Sequence, residues 1–474
     1  MTQLIIDRMN QICLEELSGS LKKIDTEDEP PTTQEVLTPV LESIAVVEPM
    51  LDRGVDQEGS PSTDEKLVCT VTKQIPACVR NVFHIGYRRA IKEHGSAAKQ
   101  AIVSELKQLL AKRVFHGVKI PRGGAKILRS SMFLKVKLKP NGDFDKLKAR
   151  LVADGSTQDR NMYEDVSSPT MSTTSLFVLT ALAARDKLHV ATIDIASAYL
   201  NADMTGPSVY MKFDPEIATI LTQLEPKLKQ YITDNGCLIV QLDKALYGCV
   251  QSAGLWYEKV KSELESMGYV VNPLDPCVFN LVRGEVRTTL GIHVDDIFAS
   301  STSEEALDDL AAALTDKFNK IQEHRGREHN YLGMHFEFCD EDVYVTMNGN
   351  IEDVLREFNV VGTATSPARS NVFDIGEDTP LTEERREMFH KFVAKLLYLS
   401  KRVRPDISVA VSFLCTRVTK ATAEDERKLD RVMKYLNGTK TMGMCLGGSE
   451  PLQETAYTDA SYGVHPDGKS HSGR

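Results

Sequence analysis

Residues 291–300 read Gly-Ile-His-Val-Asp-Asp-Ile-Phe-Ala-Ser, so two adjacent acids lie between two short apolar segments rich in β-branched residues. Upstream, residues 278–292 read as a strand, an Arg-Gly turn and a returning strand. Gly284 can supply the positive φ that a tight turn requires. The pattern predicts antiparallel hairpins, the second of which presents Asp295 and Asp296 together at its tip.

Two carboxylates at one hairpin tip repel each other unless a cation neutralises them. Hard oxygen ligands suit Mg²⁺, so Asp295 and Asp296 indicate a divalent metal site. A solvated turn is the simpler interpretation, because Asp is a common turn residue. The pair alone is compatible with both interpretations.

Length and composition limit the class of protein. The chain has 474 residues, of which 42% are hydrophobic and 26% charged, as in a soluble globular protein of two to four domains. No apolar segment approaches the roughly 20 residues of a membrane helix, and the N-terminus does not resemble a signal peptide. The nine cysteines form no Cys-x-x-Cys pair, which argues against structural zinc and for reduced thiols in the cytosol or nucleus.

The net charge of −10 is unevenly distributed. Residues 121–150 contain nine Lys or Arg against two Asp, whereas much of the acidic excess lies in the first 66 residues. Residues 1–75 combine repeated acids and prolines with few apolar residues, a pattern that predicts disorder. The overall sign of the charge therefore does not exclude a nucleic-acid partner.

The basic region predicts a hairpin with one cationic face. A strand is predicted at residues 114–120, and strands at residues 127–138 and 147–152 flank the turn sequence Pro-Asn-Gly-Asp at residues 140–143. Lys146, Lys148 and Arg150 alternate along the returning strand. They would serve either to protect an edge strand from aggregation or to form a platform for phosphates. Both interpretations remain open at this point.

A third acid occurs at the end of another apolar strand, residues 188–195, where Asp194 is followed by Ile195. Burying a lone carboxylate is costly unless it is paired or bound to a metal, although a strand-end residue can also reach solvent. The C-terminal third is mostly helical in pattern, with helices predicted near residues 351–358, 382–399, 406–418 and 423–436.

Taken in order, these motifs resemble the reverse transcriptase of copia-type LTR retrotransposons, over roughly residues 90–474. His293 stands where that family usually has an aromatic residue. The matching segments are residues 148–155 (fingers), 194–201 (first catalytic motif), 245–257 (template side), 293–296 (metal-binding hairpin), 331–333 (primer grip), 395–399, 404–407 and 434–439 (thumb to connection), and 457–460 (first strand of ribonuclease H).

The resemblance implies an α+β, right-hand polymerase fold: fingers, a palm with an antiparallel sheet, a thumb and a helical connection. The expected segments are an acidic disordered segment at 1–75, fingers and palm at 76–345, a helical thumb and connection at 346–450, and a truncated beginning of a ribonuclease H-like domain at 451–474. Only Asp459 of the ribonuclease H carboxylates is present, so hydrolysis of an RNA strand is not expected.

The activity that the resemblance implies is RNA-directed DNA synthesis, with nucleotidyl transfer to a primer 3′-hydroxyl supported by two Mg²⁺ ions, or Mn²⁺ instead. The implied site residues are Asp194, Asp295 and Asp296 as catalytic metal ligands, the carbonyl of Ile195 as a further ligand, Lys148 and Arg150 for the triphosphate, Tyr199 against a ribose 2′-hydroxyl, Tyr247 and Gly248 beside the nascent base pair, and Tyr331, Leu332 and Gly333 as primer grip.

The implied partners are an RNA template, a DNA or RNA primer and dNTPs, together with other element-encoded proteins and no membrane. The implied location is the cytoplasm, including virus-like particles, or the nucleus. Two other classes remain open: a decayed or co-opted copy that binds nucleic acid without polymerising, and a different two-metal enzyme such as a nuclease. Lys148, Arg150 and Tyr199 favour polymerisation, because a nuclease needs none of them.

Overall fold

The computed structural model describes residues 84–121, 125–138, 144–163, 168–376, 379–448, 459–461, 463 and 471–473. The chain divides into two units, Met1–Lys66 and Leu67–Arg474, and all of these residues belong to the second. The disorder predicted for residues 1–75 and the turn predicted at residues 140–143 lie outside the described residues.

The strands and helices of the described residues are numbered in chain order. The strands are β1 (His84–Gly86), β2 (Phe115–Gly117), β3 (Ile127–Leu138), β4 (Phe144–Ala153), β5 (His189–Ile195), β6 (Tyr210–Phe213), β7 (Leu238–Leu242), β8 (Val270–Asn272), β9 (Asp275–Arg283), β10 (Val286–His293), β11 (Asp296–Ser301), β12 (Ile321–Arg325), β13 (Glu328–Tyr331), β14 (Met334–Cys339), β15 (Asp342–Thr346), β16 (Met444–Gly447), β17 (Asp459–Ser461) and β18 (His471–Gly473). The helices are α1 (Tyr87–Ala111), α2 (Thr173–Arg185), α3 (Pro215–Leu224), α4 (Ser252–Ser266), α5 (Glu304–Phe318), α6 (Asn348–Phe358), α7 (Glu383–Ser400), α8 (Ser408–Cys415) and α9 (Ala423–Gly438).

The first sheet has the strand order β1-β3-β6-β7-β2, and β4 pairs with β3 beside this path. Helix α1 packs against β3 and β4. It does so because Ile102, Leu106 and Leu109 recur at helical spacing and are fully buried, while most of the residues between them are polar. Among the described strands β4 pairs with β3 alone, so its basic residues stand on an edge strand.

The second sheet is antiparallel throughout and has the order β12-β5-β11-β10-β9-β8. Side chains alternate between its faces, so Ile193 and Ile297 join the core formed with α4 and α5, whereas Val190 and Phe298 join the core formed with α2. Helices thus cover both faces of the strands that carry the three acids. The predicted hairpin from residue 278 to residue 292 is confirmed, with Gly284 at φ 63°.

The third sheet has the order β13-β14-β15-β16. Its last strand returns to the sheet after four helices, α6 to α9, so that Val345 pairs with Met444. These helices share one hydrophobic core with α2 and with the third sheet. The α+β class predicted from the sequence is confirmed.

Two predicted elements differ in length from the observed ones. The strand expected at residues 114–120 is only Phe115–Gly117 long, because the chain leaves β7 after Val118 and Ile120 is 62% exposed. The helix expected at residues 406–418 is Ser408–Cys415, and Pro405–Ile407 forms a separate 3₁₀ turn before it. None of the helices in the described part of the chain has the length and apolar character that a membrane crossing would require.

Candidate active site

The hairpin between β10 and β11 closes through a two-residue turn, Val294-Asp295, so that His293 pairs with Asp296. Val294 has φ 61°, which is unusual for a β-branched residue, and positive φ at the first turn residue alone matches a type II′ turn. The carbonyl oxygen of Asp295 accepts a hydrogen bond of 2.9 Å from the amide of Ile195. The tip of the hairpin is therefore fixed to the end of β5.

Trp256, near the start of α4, supports this strained turn. Its indole Nε1 donates a hydrogen bond of 2.7 Å to the carbonyl oxygen of Val294, and its ring packs edge-on against Phe318 at 5.3 Å. The side chain is buried at the start of α4. The sequence placed Trp256 only within a template-side motif, and its status as the single tryptophan was the one signal of a special role.

The structure brings the three acids together. Asp194 pairs with Asp296 across β5 and β11, and Asp295 precedes Asp296 in the turn. Asp194 is exposed, whereas Asp295 and Asp296 are half-buried. Burial, together with the neighbouring charges of Asp295 and Asp194, raises the pKa of Asp296 to about 6. The mutual repulsion expected from the sequence is thus present in the fold.

Tyr331 supports the same hairpin from another side. Its side chain is buried, and its hydroxyl donates a hydrogen bond of 3.1 Å to the carbonyl oxygen of Asp296. The next two residues, Leu332 and Gly333, form the turn between β13 and β14 with φ values of 50° and 78°. Of the predicted primer-grip residues, Tyr331 therefore contacts the hairpin itself, Leu332 is half-buried against the core, and Gly333 is exposed.

Two tyrosines and an arginine form a stack beside the acids. The guanidinium carbon of Arg150 lies 4.1 Å from the centre of the Tyr247 ring, and the Tyr247 and Tyr199 rings are 4.8 Å apart. Burial, and then the charge of Asp295, raises the pKa of Tyr199. Burial also raises the pKa of Tyr247, with Arg150 opposing and Asp295 adding to the increase. Residues predicted to hold an incoming nucleotide thus lie within electrostatic reach of the acidic hairpin.

Lys148 stands two residues before Arg150 on β4, exposed and paired with Lys135 of β3. Positive charges from β3 and β4 therefore lie side by side, which suits a phosphate platform. Since β4 is also an edge strand, protection from aggregation remains an alternative role for them. Glu105 of α1, which sequence reasoning missed, accepts a hydrogen bond of 3.2 Å from the amide of Leu151. Burial raises the pKa of Glu105, and the charges of Arg150 and Lys148 oppose that increase.

Glycines allow the backbone beside this stack to pack closely. Gly248 has φ 91°, and a Cβ atom there would lie 2.0 Å from the carbonyl oxygen of Ala153. A Cβ atom on Gly155 would lie 2.0 Å from the carbonyl oxygen of Gly248. The amide of Ala153 also donates a hydrogen bond of 2.8 Å to the carbonyl oxygen of Tyr247. Gly155 was not predicted as a site residue, yet its lack of a side chain permits this close approach to the backbone next to Tyr247.

A sequence model of the family described as reverse transcriptase (RNA-dependent DNA polymerase) matches residues 112–369, more than half of the chain. The chain belongs to the reverse transcriptase family. Membership confirms the predicted family and, with it, the polymerase fold class.

Curated relatives of this reverse transcriptase chain are Pol polyproteins of copia-type transposons. The retrovirus-related Pol polyprotein from transposon RE1 of Arabidopsis thaliana is 26% identical over 368 residues, which cover 77% of this chain and 24% of that protein. The corresponding protein from transposon TNT 1-94 of Nicotiana tabacum is 27% identical over 386 residues, 79% of this chain and 28% of that protein. The chain spans about a quarter of the length of these relatives.

A solved structure described as the foamy viral protease-reverse transcriptase dRH in complex with double-stranded DNA is also similar to the reverse transcriptase chain. It is 14% identical, with a TM-score of 0.38, over 72% of this chain and 48% of that chain.

The side chains predicted as metal ligands in this reverse transcriptase carry the type of oxygen atom that hard divalent cations bind. Asp194, Asp295 and Asp296 offer carboxylate oxygens, and burial together with their crowding raises the pKa of Asp296, an effect that a cation would relieve. As arranged, however, no group of three or more His, Cys, Asp and Glu side chains among the described residues forms a ready-made cation site.

Two other residues of the reverse transcriptase motifs, His293 and Asp459, lie in described strands. His293 has a buried Nδ1 without a hydrogen-bond partner, and burial lowers its pKa, so the imidazole beside the acids is neutral at physiological pH. Asp459 begins β17, which pairs with β18 so that Asp459 lies opposite Gly473. The surroundings of the Asp459 side chain lie outside the described residues.

Proposed function

We propose that this chain is an RNA-directed DNA polymerase of a copia-type retrotransposon, which extends a primer 3′-hydroxyl with dNTPs on an RNA template. One observation carries the proposal: the Arg150–Tyr247–Tyr199 stack lies beside the hairpin that joins Asp295 and Asp296 to Asp194. A nuclease would need the acids alone. A polymerase also needs a site for the triphosphate and a means of selecting the sugar.

The carboxylates of Asp194, Asp295 and Asp296, with the carbonyl of Ile195, would hold two Mg²⁺ ions. Such ions lower the pKa of a primer hydroxyl and stabilise the charge that develops on the leaving pyrophosphate. The β5–β11 pairing and the hydrogen bond from Ile195 to Asp295 keep the three acids at one end of the sheet. Catalysis of this kind depends more on positioning and charge than on covalent chemistry.

Arg150 and Lys148 would hold the incoming triphosphate. The guanidinium can form a bidentate pair with phosphate oxygens, while the ammonium acts as a point charge. Stacking on Tyr247 orients the guanidinium plane before substrate arrives, which lowers the entropic cost of binding.

The tyrosine rings would select and position the nucleotide. Tyr199 would occupy the space beside C2′ of the sugar and exclude a 2′-hydroxyl. Tyr247 and Gly248 would pack beside the nascent base pair. Template and primer would be bound through backbone contacts to an A-like duplex, without reading of sequence.

The first sheet with α1 would form the fingers and the second sheet the palm, together residues 76–345. Helices α6 to α9 would form the thumb and connection, residues 346–450, and residues 451–474 the beginning of a ribonuclease H-like domain that includes Asp459. The pairing of β15 with β16 crosses the boundary at residue 345, so the two segments share a sheet. Other element-encoded proteins, and a cytoplasmic or nuclear location with virus-like particles, follow from the same proposal.

Primer extension tests the proposal. Purified chain should extend a DNA primer on an RNA template with dNTPs and Mg²⁺, and Asp295→Asn should abolish extension. Asp309→Asn, the same change at an exposed position on α5, is the matched control and should leave extension intact. Binding of the primer–template is measured in parallel by fluorescence anisotropy. Retained binding without extension by the parent chain would instead identify a copy that binds nucleic acid without polymerising.

A further inference from the structure

A polar cavity of about 370 Å³ lies far along the chain from the acidic hairpin. It is bounded by α8, by α9 and by the irregular segment that follows α6. A second cavity lined in part by Thr363, Ala364 and Arg431 shares those three residues with the first. Arg431 therefore contributes to the walls of both cavities.

The lining of the first cavity carries an excess of positive charge. Its cations are Arg369, Arg427, Lys428, Arg431 and Lys434, and its acids are Glu424 and Asp430. The two acids are already used, because Glu424 pairs with Arg427 and Asp430 pairs with Lys434, each at 2.7 Å. Within the described residues, no carboxylate lies at ion-pair distance from the other three cations. Three cations of the cavity are therefore without an ion-pair partner among the described residues, although the more distant charges of Asp425, Glu424 and Asp374 act on Lys428.

Arg431 makes a hydrogen bond through one of its guanidinium nitrogens but not through another. Its Nη2 donates a hydrogen bond of 2.9 Å to Ser366 Oγ. Its Nε, in contrast, is buried and has no hydrogen-bond partner. A buried guanidinium N–H without an acceptor is costly, and an absent ion is one of the recognised explanations for such a group. The planar donors of arginine match two oxygens of one phosphate.

Lys428, which lies about one turn before Arg431 on the same helix α9, supports the same conclusion. Its ammonium donates to the backbone carbonyl of Asp374 and lies 4.8 Å from the centre of the Phe413 ring. Burial is the main cause that lowers its pKa. A lysine held in this way, without an ion-pair partner in the described residues, is compatible with an anionic ligand nearby.

We propose that this cavity is a binding site for a phosphate-bearing anion, separate from the polymerase site, with Arg431 as its central ligand and with Arg369 and Lys428 contributing charge. Three charges suit a ligand with several negative charges better than a single carboxylate. The volume exceeds that of one phosphate group and lies within the usual range for small-ligand pockets. The phosphates could come from a free polyphosphate or nucleotide, or from a nucleic-acid backbone, and the test distinguishes these sources.

The test measures binding and does not depend on polymerase activity. Full-length chain carrying Lys148→Gln and Arg150→Gln, so that the proposed nucleotide site contributes little, is titrated calorimetrically with sodium tripolyphosphate. A blunt RNA–DNA duplex is titrated separately at low salt. Each probe is tested with the parent and with Arg431→Met, Arg369→Gln and Arg356→Gln added. Arg356, an exposed arginine on α6 outside the cavity, is the matched control.

Arg431→Met should weaken binding of one probe about tenfold or more, and Arg369→Gln should weaken it less, while Arg356→Gln should have no effect. Loss for tripolyphosphate identifies a free anion as the ligand, and loss for the duplex alone identifies a nucleic-acid backbone. Thermal melting in phosphate-free buffer checks folding. If Arg431→Met does not fold, Arg369→Gln decides, because Arg369 is exposed on an irregular segment. Equal binding of both probes by parent and folded cavity variants, or no binding at all, would overturn the proposal.

Discussion

Trp256 Nε1 lies 2.7 Å from the carbonyl oxygen of Val294, so one buried indole is bonded to the tip of the acidic hairpin. The contact joins the start of α4 to a turn residue whose φ is 61°. A strained backbone persists only where its surroundings over-determine it. The indole, Tyr331 and the Ile195 amide are the groups that do so here.

Trp256→Phe should therefore lower both stability and activity. The ring packing against Phe318 is largely kept, but the Val294 carbonyl loses its donor, which costs about 1–3 kcal/mol of unfolding free energy. Displacement of Asp295 should reduce the rate of primer extension about tenfold or more while changing primer–template affinity little. Phe318→Leu, which alters packing but leaves the hydrogen bond, is the control. An equal loss of activity in both variants at matched stability would show that packing alone matters.

The raised pKa of Asp296 predicts a pH-dependent stability. The folded-state pKa of about 6 lies above the ordinary value of 3.8, so the folded chain holds this proton more tightly than the unfolded chain. The contribution of protonated Asp296 to the stability of the folded chain is complete below about pH 4 and is lost as the pH rises through 6. In EDTA at pH 8, Asp296→Asn should therefore be more stable than the parent by about 1 kcal/mol, a value reduced to allow for solvent screening.

Chemical denaturation at pH 4.5 and pH 8 measures this difference, which should largely disappear at the lower pH. Mg²⁺ should raise the melting temperature of the parent more than that of Asp296→Asn, since the variant has lost a proposed ligand. Asp309→Asn reports the effect of removing an acid elsewhere. A parent that remains as stable as Asp296→Asn in EDTA at pH 8 would contradict the prediction.

Tyr199 should determine the choice of sugar through its ring. Tyr199→Ala should raise the efficiency with ribonucleotides relative to deoxynucleotides on the order of a hundredfold, because space opens beside C2′. Tyr199→Phe keeps the ring and should retain the selectivity of the parent. Steady-state kcat/KM with matched dNTP and rNTP measures both. A loss of selectivity in the Phe variant would assign the role to the hydroxyl instead.

Arg150 should contribute to substrate binding through the shape of its side chain as well as its charge. Arg150→Lys keeps the charge but loses the planar fork and the stack on Tyr247, so KM for dNTP should rise roughly tenfold. The control is Lys146→Gln, an exposed residue on the same strand. A similar rise in KM for the control would mean that β4 acts only through its overall charge, whereas no rise in KM for either variant would favour the edge-strand interpretation of its lysines.

Gly248 should tolerate no side chain. Gly248→Ala should cost about 2–3 kcal/mol more than Gly284→Ala, since both glycines have positive φ but only at Gly248 would the Cβ meet a backbone oxygen, at 2.0 Å. Gly284 has nothing within 4 Å of that position and so reports the backbone strain alone. Urea denaturation of the two variants measures the difference. Equal destabilisation would show that the close approach relaxes on substitution.

The elements that the sequence predicted well are those specified by neighbouring residues. The hairpin through Arg283 and Gly284 and the acidic turn at Asp295 depend on local alternation and turn chemistry. That Asp194 belongs with Asp295 and Asp296 was expected only from the resemblance to a known family, and its register opposite Asp296 was not predicted, because a pairing between strands about 100 residues apart leaves no local signal.

Strands stabilised by distant partners were missed for the same reason. β12 reads Ile-Gln-Glu-His-Arg, which has no apolar alternation, and is a strand because it pairs with β5. The role of Trp256 was also hidden, since the hydrogen bond to Val294 depends on where α4 lies relative to the hairpin. Tertiary position, not composition, distinguishes a supporting aromatic residue from any other buried one.

The return of β16 to β15 has a consequence for how this chain could be shortened or rebuilt. Because Val345 and Met444 are neighbours in one ladder, both ends of the four-helix segment between them leave and re-enter the sheet at the same place. The segment is in this sense an insert within a hairpin, but its helices share the hydrophobic core of that sheet, so a short turn in their place would expose apolar residues of the sheet to solvent. A chain that stopped before Met444 would instead expose β15 as an open edge, able to pair with another copy.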